Sequence, residues 1–132
     1  MNVKRLGFSA MVLLTLLVTL SGSACKHKDD SKEQEIEAEI ELIEDDINAI
    51  IGRAACENSN QCGYVEMGSK PCGGPMTFKI YSSLNTDTTL LFEKAAKHVE
   101  LSEELNRLTG AISTCSVEQP PTVSCQAVCL AD

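Results

Sequence analysis

The stretch Cys62-Gly63-Tyr64-Val65-Glu66-Met67-Gly68-Ser69-Lys70-Pro71-Cys72-Gly73-Gly74-Pro75-Met76-Thr77-Phe78-Lys79-Ile80-Tyr81-Ser82 decides the fold. Residues 63–67 read as a short strand. Residues 76–82 read as a second, because Thr77, Phe78, Ile80 and Tyr81 carry the branched and aromatic side chains that favour extended backbone. Between them Gly68-Ser69-Lys70-Pro71 is a turn signal. Two strands across a Gly/Pro turn predict an antiparallel hairpin.

Working outward, the flanks change period from two to three and four. Over residues 31–55, Ile36, Ile40, Ile43, Ile47, Ile50 and Ala54 recur at steps of four and three, which sets them on one stripe of a helix. Acids crowd its other faces. A stripe of this kind serves either a coiled-coil partner or the helix's own domain; like charges beside the seam oppose pairing of identical helices and favour the second use. Downstream, Asn85-Thr86-Asp87 offers side-chain oxygens to cap a helix start. The helix predicted over 88–109 carries Leu91, Ala95, His98, Leu101, Leu105 and Leu108 on one face and stops at Gly110. After Pro120-Pro121, residues 122–128 read as one last strand, which the prolines mark as an edge or clasp.

The 132 residues suffice for one domain. Aromatic residues are 4% of the chain and Trp is absent, so a core built here buries little area per side chain. Domains in that position rely on covalent staples, and the chain has 7 Cys. Six of them, Cys56, Cys62, Cys72, Cys115, Cys125 and Cys129, are separated by 5, 9, 42, 9 and 3 intervening residues. None shows the two-residue gap typical of zinc sites, so disulfides are expected and a metal is not. Spacing does not choose among the pairings. The pairs 62–72 and 115–125 would close local loops and are the first to test. At least one bridge should tie the C-terminal clasp to the region of Cys56.

The seventh, Cys25, has a different setting. Lys4 and Arg5 precede an uncharged, Leu- and Val-rich run over 8–20, and Ser21-Gly22-Ser23-Ala24 follows. This is the layout of a secretory signal over 1–24, with an apolar run too short to serve as a permanent span. Residues 20–25 resemble a lipobox, which implies cleavage before Cys25 and a diacylglycerol on its sulfur. Gly22 departs from the Leu such a motif prefers, so plain cleavage after Ala24 and a free product is the competing outcome. Lipidation leaves an even number of cysteines for pairing. Residues 25–34 then form the lipidated cysteine and a charged tether; Lys26-His27-Lys28-Asp29-Asp30-Ser31-Lys32 is similar to the surface-display signals of some Gram-negative lineages, or else a plain spacer. The disulfide-stabilised domain, with the acidic helix, fills 35–132. No later stretch is apolar enough to span a bilayer, so the remainder is expected to be soluble once exported.

Net charge is −8, and losing Lys4 and Arg5 with the leader takes the mature chain to −10. Ten of the nineteen acids fall between Asp29 and Asp46, against the single base Lys32. A phosphate backbone would be repelled by that stretch, which excludes nucleic acid as a partner.

Chemistry-bearing motifs are few. There is no G-x-S-x-G, H-E-x-x-H, phosphate loop or calcium loop. His98 is the only histidine of the folded part, and on an apolar stripe it reads as a packing residue rather than a general base. Asn106, late in its helix, is expected to reach back to a loop backbone. Cys72-Gly73-Gly74-Pro75 is the most unusual feature: paired glycines open φ angles closed to other residues and Pro75 fixes the exit. It is either a tight turn internal to the fold or a rigid loop, with Gly73, Gly74 and Pro75 offered to a partner as inhibitor loops are.

From Cys62 to Cys129 the chain resembles a family of small uncharacterised bacterial lipoproteins. The likeness is carried by Lys70-Pro71-Cys72-Gly73-Gly74-Pro75, Tyr81-Ser82, Asn106, Ser113-Thr114-Cys115, Pro120-Pro121, Cys125 and Cys129. It implies a disulfide-bearing envelope domain and assigns no site residues.

The expectation is therefore an α+β domain, two amphipathic helices on a short antiparallel hairpin, stapled by up to three disulfides. Functionally it is a membrane-anchored envelope lipoprotein, held by the lipid on Cys25 to a membrane, the outer one of a Gram-negative cell. It acts as a non-enzymatic module that binds an envelope or extracellular protein, without cofactor. The alternatives are a protease-inhibitor-like module presenting loop 72–75 and a small envelope enzyme using His98.

Overall fold

The computed structural model describes residues 26–132, with side chains from residue 30 onward. The expected signal over 1–24 and the expected lipidation at Cys25 both fall outside the described residues. The chain divides into Met1–Lys32 and Glu33–Asp132, and the architecture that follows is that of the second unit.

The fold is α+β, with helices α1 (Lys26–Ile51) and α2 (Thr88–Thr109) and strands β1 (Cys62–Met67), β2 (Thr77–Ser82), β3 (Val123–Cys125) and β4 (Cys129–Ala131). Helical backbone begins at Lys26, inside the stretch expected to be tether, because residues 26–51 contain no Gly or Pro and are rich in Glu, a strong helix former, with Lys at positions 26, 28 and 32. It ends at Ile51, short of the expected Ala55. Gly52 takes a left-handed φ of 56° and its N–H returns to Asn48 O at 2.9 Å, which closes the last turn. No helix among the described residues is long and apolar enough to cross a membrane.

β1 and β2 pair antiparallel, with Cys62 opposite Ser82 and Met67 opposite Thr77. Alternation puts Val65 and Met67 inside and Tyr64 and Glu66 outside. The Ile stripe of α1 closes over that inner face together with α2. Ile36, Ile43 and Ile47 form one core with Val65, Met67, Leu91, Ala95 and Leu101. The stripe is thus used within its own domain. Lysines answer the acids beside it: Lys94 Nζ lies 2.6 Å from Asp46 Oδ2 and Lys97 Nζ 4.0 Å from Glu39 Oε1. Lys79 Nζ donates to Asn48 Oδ1 at 2.8 Å.

The tail holds a second hairpin, β3–β4, where the sequence predicts one strand over 122–128. Ala127 accepts a left-handed φ of 65° and Gln126 N–H donates to Val128 O at 2.9 Å, reversing the chain inside that predicted strand. No Gly marks the turn, so turn chemistry could not reveal it.

Three disulfides join Cys56 to Cys125, Cys62 to Cys129 and Cys72 to Cys115. The local pairs 62–72 and 115–125 do not form. Cys62 opens β1 and Cys72 lies past its other end, a strand of roughly 20 Å at about 3.3 Å per residue, so the hairpin itself holds those thiols apart. The expected tie between the clasp and Cys56 is present.

Candidate functional site

Between β1 and β2 the chain folds into a loop whose shape follows from its glycines. Lys70 N–H donates to Gly74 O at 2.9 Å and Gly73 N–H to Lys70 O at 2.8 Å, a tight ring that needs φ of 89° at Gly73 and 82° at Gly74. A side chain at either glycine would meet nothing within 4 Å, so the tip stands clear of the fold. Gly73 and Gly74 are exposed and Pro75 is half-buried.

Three ties hold this loop to distant parts of the chain. Cys72 bridges to Cys115. Asn106, on α2, donates from Nδ2 to Ser69 O at 2.7 Å, the backbone contact its position predicts. Lys70 Nζ donates to Ser116 O at 2.9 Å and to Glu118 Oε1 at 3.1 Å, binding the irregular segment after α2 against the loop. Ser69 is buried and its Oγ lies 3.5 Å from Glu103 Oε1. Beside them lies an open groove of about 360 Å³, its polar groups coming from Ser69, Lys70, Glu103, Asn106 and Arg107 and the rest of its lining from Pro71, Gly73 and Ala111. Arg107 is open to solvent, with its side chain 71% exposed and its Nη2 3.6 Å from Glu104 Oε1. Ser69, Glu103 and Arg107 carry no motif: the loop and α2 residues that meet here stand more than thirty positions apart, and only folding brings them together.

His98 has a different setting. It is 4% exposed, and its Nε2 lies 2.9 Å from Glu44 Oε1 on α1. Ser102, one turn on, is 5% exposed; its Oγ lies 3.5 Å from His98 Nδ1 and donates to His98 O at 2.8 Å. A carboxylate, an imidazole and a hydroxyl therefore stand in line. The hydroxyl proton already serves the helix backbone, and both side chains are sealed between α1 and α2. Neither lines the polar groove. Their evident work is to join the two helices through a polar contact inside an otherwise apolar seam.

A second groove, of about 370 Å³, is mostly apolar and lies between β1 and α2, lined by Tyr64, Val65, Phe92, Ala95, Ala96 and Val99, with Glu66 as its one charged residue. Its rims are fixed by edge-on ring pairs, Tyr64 with Phe78 at 5.4 Å and Tyr81 with Phe92 at 5.9 Å.

No protein-family model, curated protein or solved structure matches this chain.

Proposed function

We propose that this chain is a lipid-anchored, non-enzymatic binding module of the cell envelope, which offers loop 72–75 and the polar groove beside it to a protein partner. One observation carries the reading. The loop tip is exposed, and it is held by a disulfide, an internal ring of hydrogen bonds and two side-chain ties from elsewhere in the fold. Immobilising an exposed loop before it meets a partner removes the ordering cost from the binding step. Arg107 and Glu103 at the groove edge give the surface charges of both signs, suited to a polar protein face.

The anchoring half of the reading rests on the Lys4/Arg5 start, the apolar run and Cys25. The resemblance to small envelope lipoproteins supports it. The inhibitor alternative is less well served: a protease cleft takes extended backbone, and residues 70–74 are folded back on themselves. The enzyme alternative has the Glu44–His98–Ser102 line in its favour and burial against it.

The test is site-specific photo-cross-linking in intact cells, with the reactive residue at Gly74 and, as a control, at exposed Leu42 on α1. A discrete adduct from position 74 alone, weakened by Arg107→Glu, is the expected result. Equal adducts from both positions, or none from 74, would refute presentation by this loop. Cell fractionation of Cys25→Ser tests the anchor separately: it should release the protein from the membrane, and continued retention would refute lipid attachment.

A further inference from the structure

The groove between β1 and α2 is lined by three successive residues of one strand, Tyr64, Val65 and Glu66. Their side chains alternate between the two faces of the hairpin, so what they offer the groove in common is a backbone edge. We propose that this edge is a docking site for an extended segment of another protein, apolar on the side that meets α2 and basic on the other, which adds to the β1–β2 sheet alongside β1.

Hydrogen bonding leaves the edge open. The register sets Cys62 opposite Ser82, and Ser83 N–H donates to Gln61 O at 2.8 Å, which makes the pair just outside the strands a bonded one. Bonded and non-bonded pairs alternate along an antiparallel ladder. Gly63, Val65 and Met67 therefore turn their N–H and C=O groups toward β2, and Tyr64 and Glu66 turn theirs to the opposite edge. The sheet ends at β1 on that side, and among the described residues no other element bonds to these groups. Two donors and two acceptors at strand spacing are what a peptide in extended conformation satisfies.

The wall of the groove suits such a peptide. Phe92, Ala96 and Val99 recur at steps of four and three, so they form one stripe on the flank of α2. The rings of Phe92 and Tyr64 remain 49% and 37% exposed, although edge-on contacts with Tyr81 and Phe78 hold them in place. From Phe92 to Val99 the helix rises roughly 10 Å. Alternate side chains of an added strand stand about 7 Å apart, so two of them fit within that length. The small Ala95 and Ala96 leave room for their bulk.

Charge selects the occupant. Glu66 is exposed on the outer face of β1, and Glu93 and Glu100, three before and four after Ala96, are exposed on the solvent side of the stripe. Lys97, next to Ala96, is taken up by Glu39 at 4.0 Å and Glu100 at 3.5 Å. A second copy of this chain would bring the same acids to the same edge, and a charge on a free edge opposes that pairing. Lys or Arg at the outward positions of a foreign strand instead stands across from Glu66 as an opposite-charge pair. This site is separate from loop 72–75.

Short peptides alternating Lys with Val, blocked at both ends, are the probe. They are titrated into the isotope-labelled full chain and followed by NMR. The expected result is saturable shifts of the Tyr64 and Glu66 amides and of residues 92–99, with slower solvent exchange at those two amides. In an antiparallel pairing the Lys nitrogens of the peptide face β1. Methylating them should weaken binding by about tenfold or more, whereas methylating the Val nitrogens should leave it unchanged. Ala96→Lys, a substitution at an exposed helix position, fills the groove and should abolish binding while the unliganded spectrum elsewhere stays that of the parent. Glu66→Lys should weaken binding of the Lys peptide about threefold and favour a peptide alternating Glu with Val. Equal effects of methylation at both sets of nitrogens, shifts spread over the acidic α1 in place of β1, or no binding would overturn the proposal. So would concentration-dependent shifts of Tyr64 and Glu66 without peptide, which would give the edge to a second copy.

Discussion

The two ends of this domain use the same covalent bond for different ends. At the clasp, Cys56–Cys125 and Cys62–Cys129 lie side by side, with Cys56 and Cys129 buried, and they join the chain after α1 and the start of β1 to the tail hairpin. At the loop, Cys72–Cys115 is exposed, alone, and attached to the most protruding glycines of the fold. A half-buried pair of bridges ties the tail to the middle of the chain; an exposed single bridge holds a surface in shape. The difference teaches that disulfide density is not a measure of where stability resides. Each bridge has to be read with what surrounds it.

The largest effect should come from the clasp. A bridge closing 69 or 67 residues restrains the unfolded chain by about 4 kcal/mol on the loop-entropy scale. The two are not additive, because once one is closed the other closes only the short segments 56–62 and 125–129. Replacing all four clasp cysteines by Ser should therefore cost about 4–6 kcal/mol, comparable to the whole stability of a small domain. Removing one bridge should cost clearly less than half of that. Urea unfolding of the single- and double-bridge variants checks it; equal and additive losses would break the account of the clasp as one unit.

The loop bridge comes next. Cys72–Cys115 spans 43 residues, but the clasp already restrains the same segment from outside. Cys72→Ser/Cys115→Ser should lower stability by about 2–3 kcal/mol. Its larger consequence should be local, with amide exchange rising over residues 70–76 and 111–118 while α1 and α2 keep their protection. Uniform loss of protection across the helices would erase the distinction between the ends. Asn106→Ala is a smaller probe of the same region. It removes the donor to Ser69 O and should cost about 1–2 kcal/mol by thermal unfolding.

Much of the frame was legible in the sequence. The β1–β2 hairpin, the Ile stripe and α2 follow from periodicity and capping: α2 runs Thr88–Thr109 with Asp87 Oδ1 accepting from Leu90 N–H and Gly110 at its end, as its residues predict. Asn106 was legible because its place late in a helix restricts what its amide can reach. The clasp was only half legible. A β3–β4 turn without Gly, a chain reversal at Ala54 and bridges between residues nearly seventy positions apart leave no local trace. The polar groove was not legible at all, since Ser69 and Glu103 owe their contact to how α2 lies on the hairpin. Glu44 as the partner of His98 is of the same kind: it is one acid among ten in the α1 stretch, and only the docking of the helices singles it out.

The finest contrast lies in the backbone. Both ends require left-handed residues: the turn between β1 and β2 supplies glycines, Gly68, Gly73 and Gly74, with Cys115 across its bridge at φ 56°, and the clasp supplies alanines, Ala54 at φ 48° and Ala127 at φ 65°. A non-glycine residue in that region is strained by crowding between Cβ and the carbonyl, and it persists where surrounding bonds over-determine it. Around Ala127 those bonds are the adjacent bridges, its own carbonyl accepting from Cys56 N–H, Gln126 N–H donating to Val128 O, and Cys129 N–H donating to Ala54 O. Ala127→Gly relieves the crowding but frees the unfolded chain, so the gain should be small, about 0.5–1 kcal/mol. Gly73→Ala introduces the same crowding where nothing lies within 4 Å, so the cost of about 1 kcal/mol is purely conformational. Opposite shifts in urea midpoint from these two single substitutions are expected. A destabilising Ala127→Gly would mean that the methyl group contributes packing that outweighs its strain, and the clasp would then be held by its side chains as much as by its bridges.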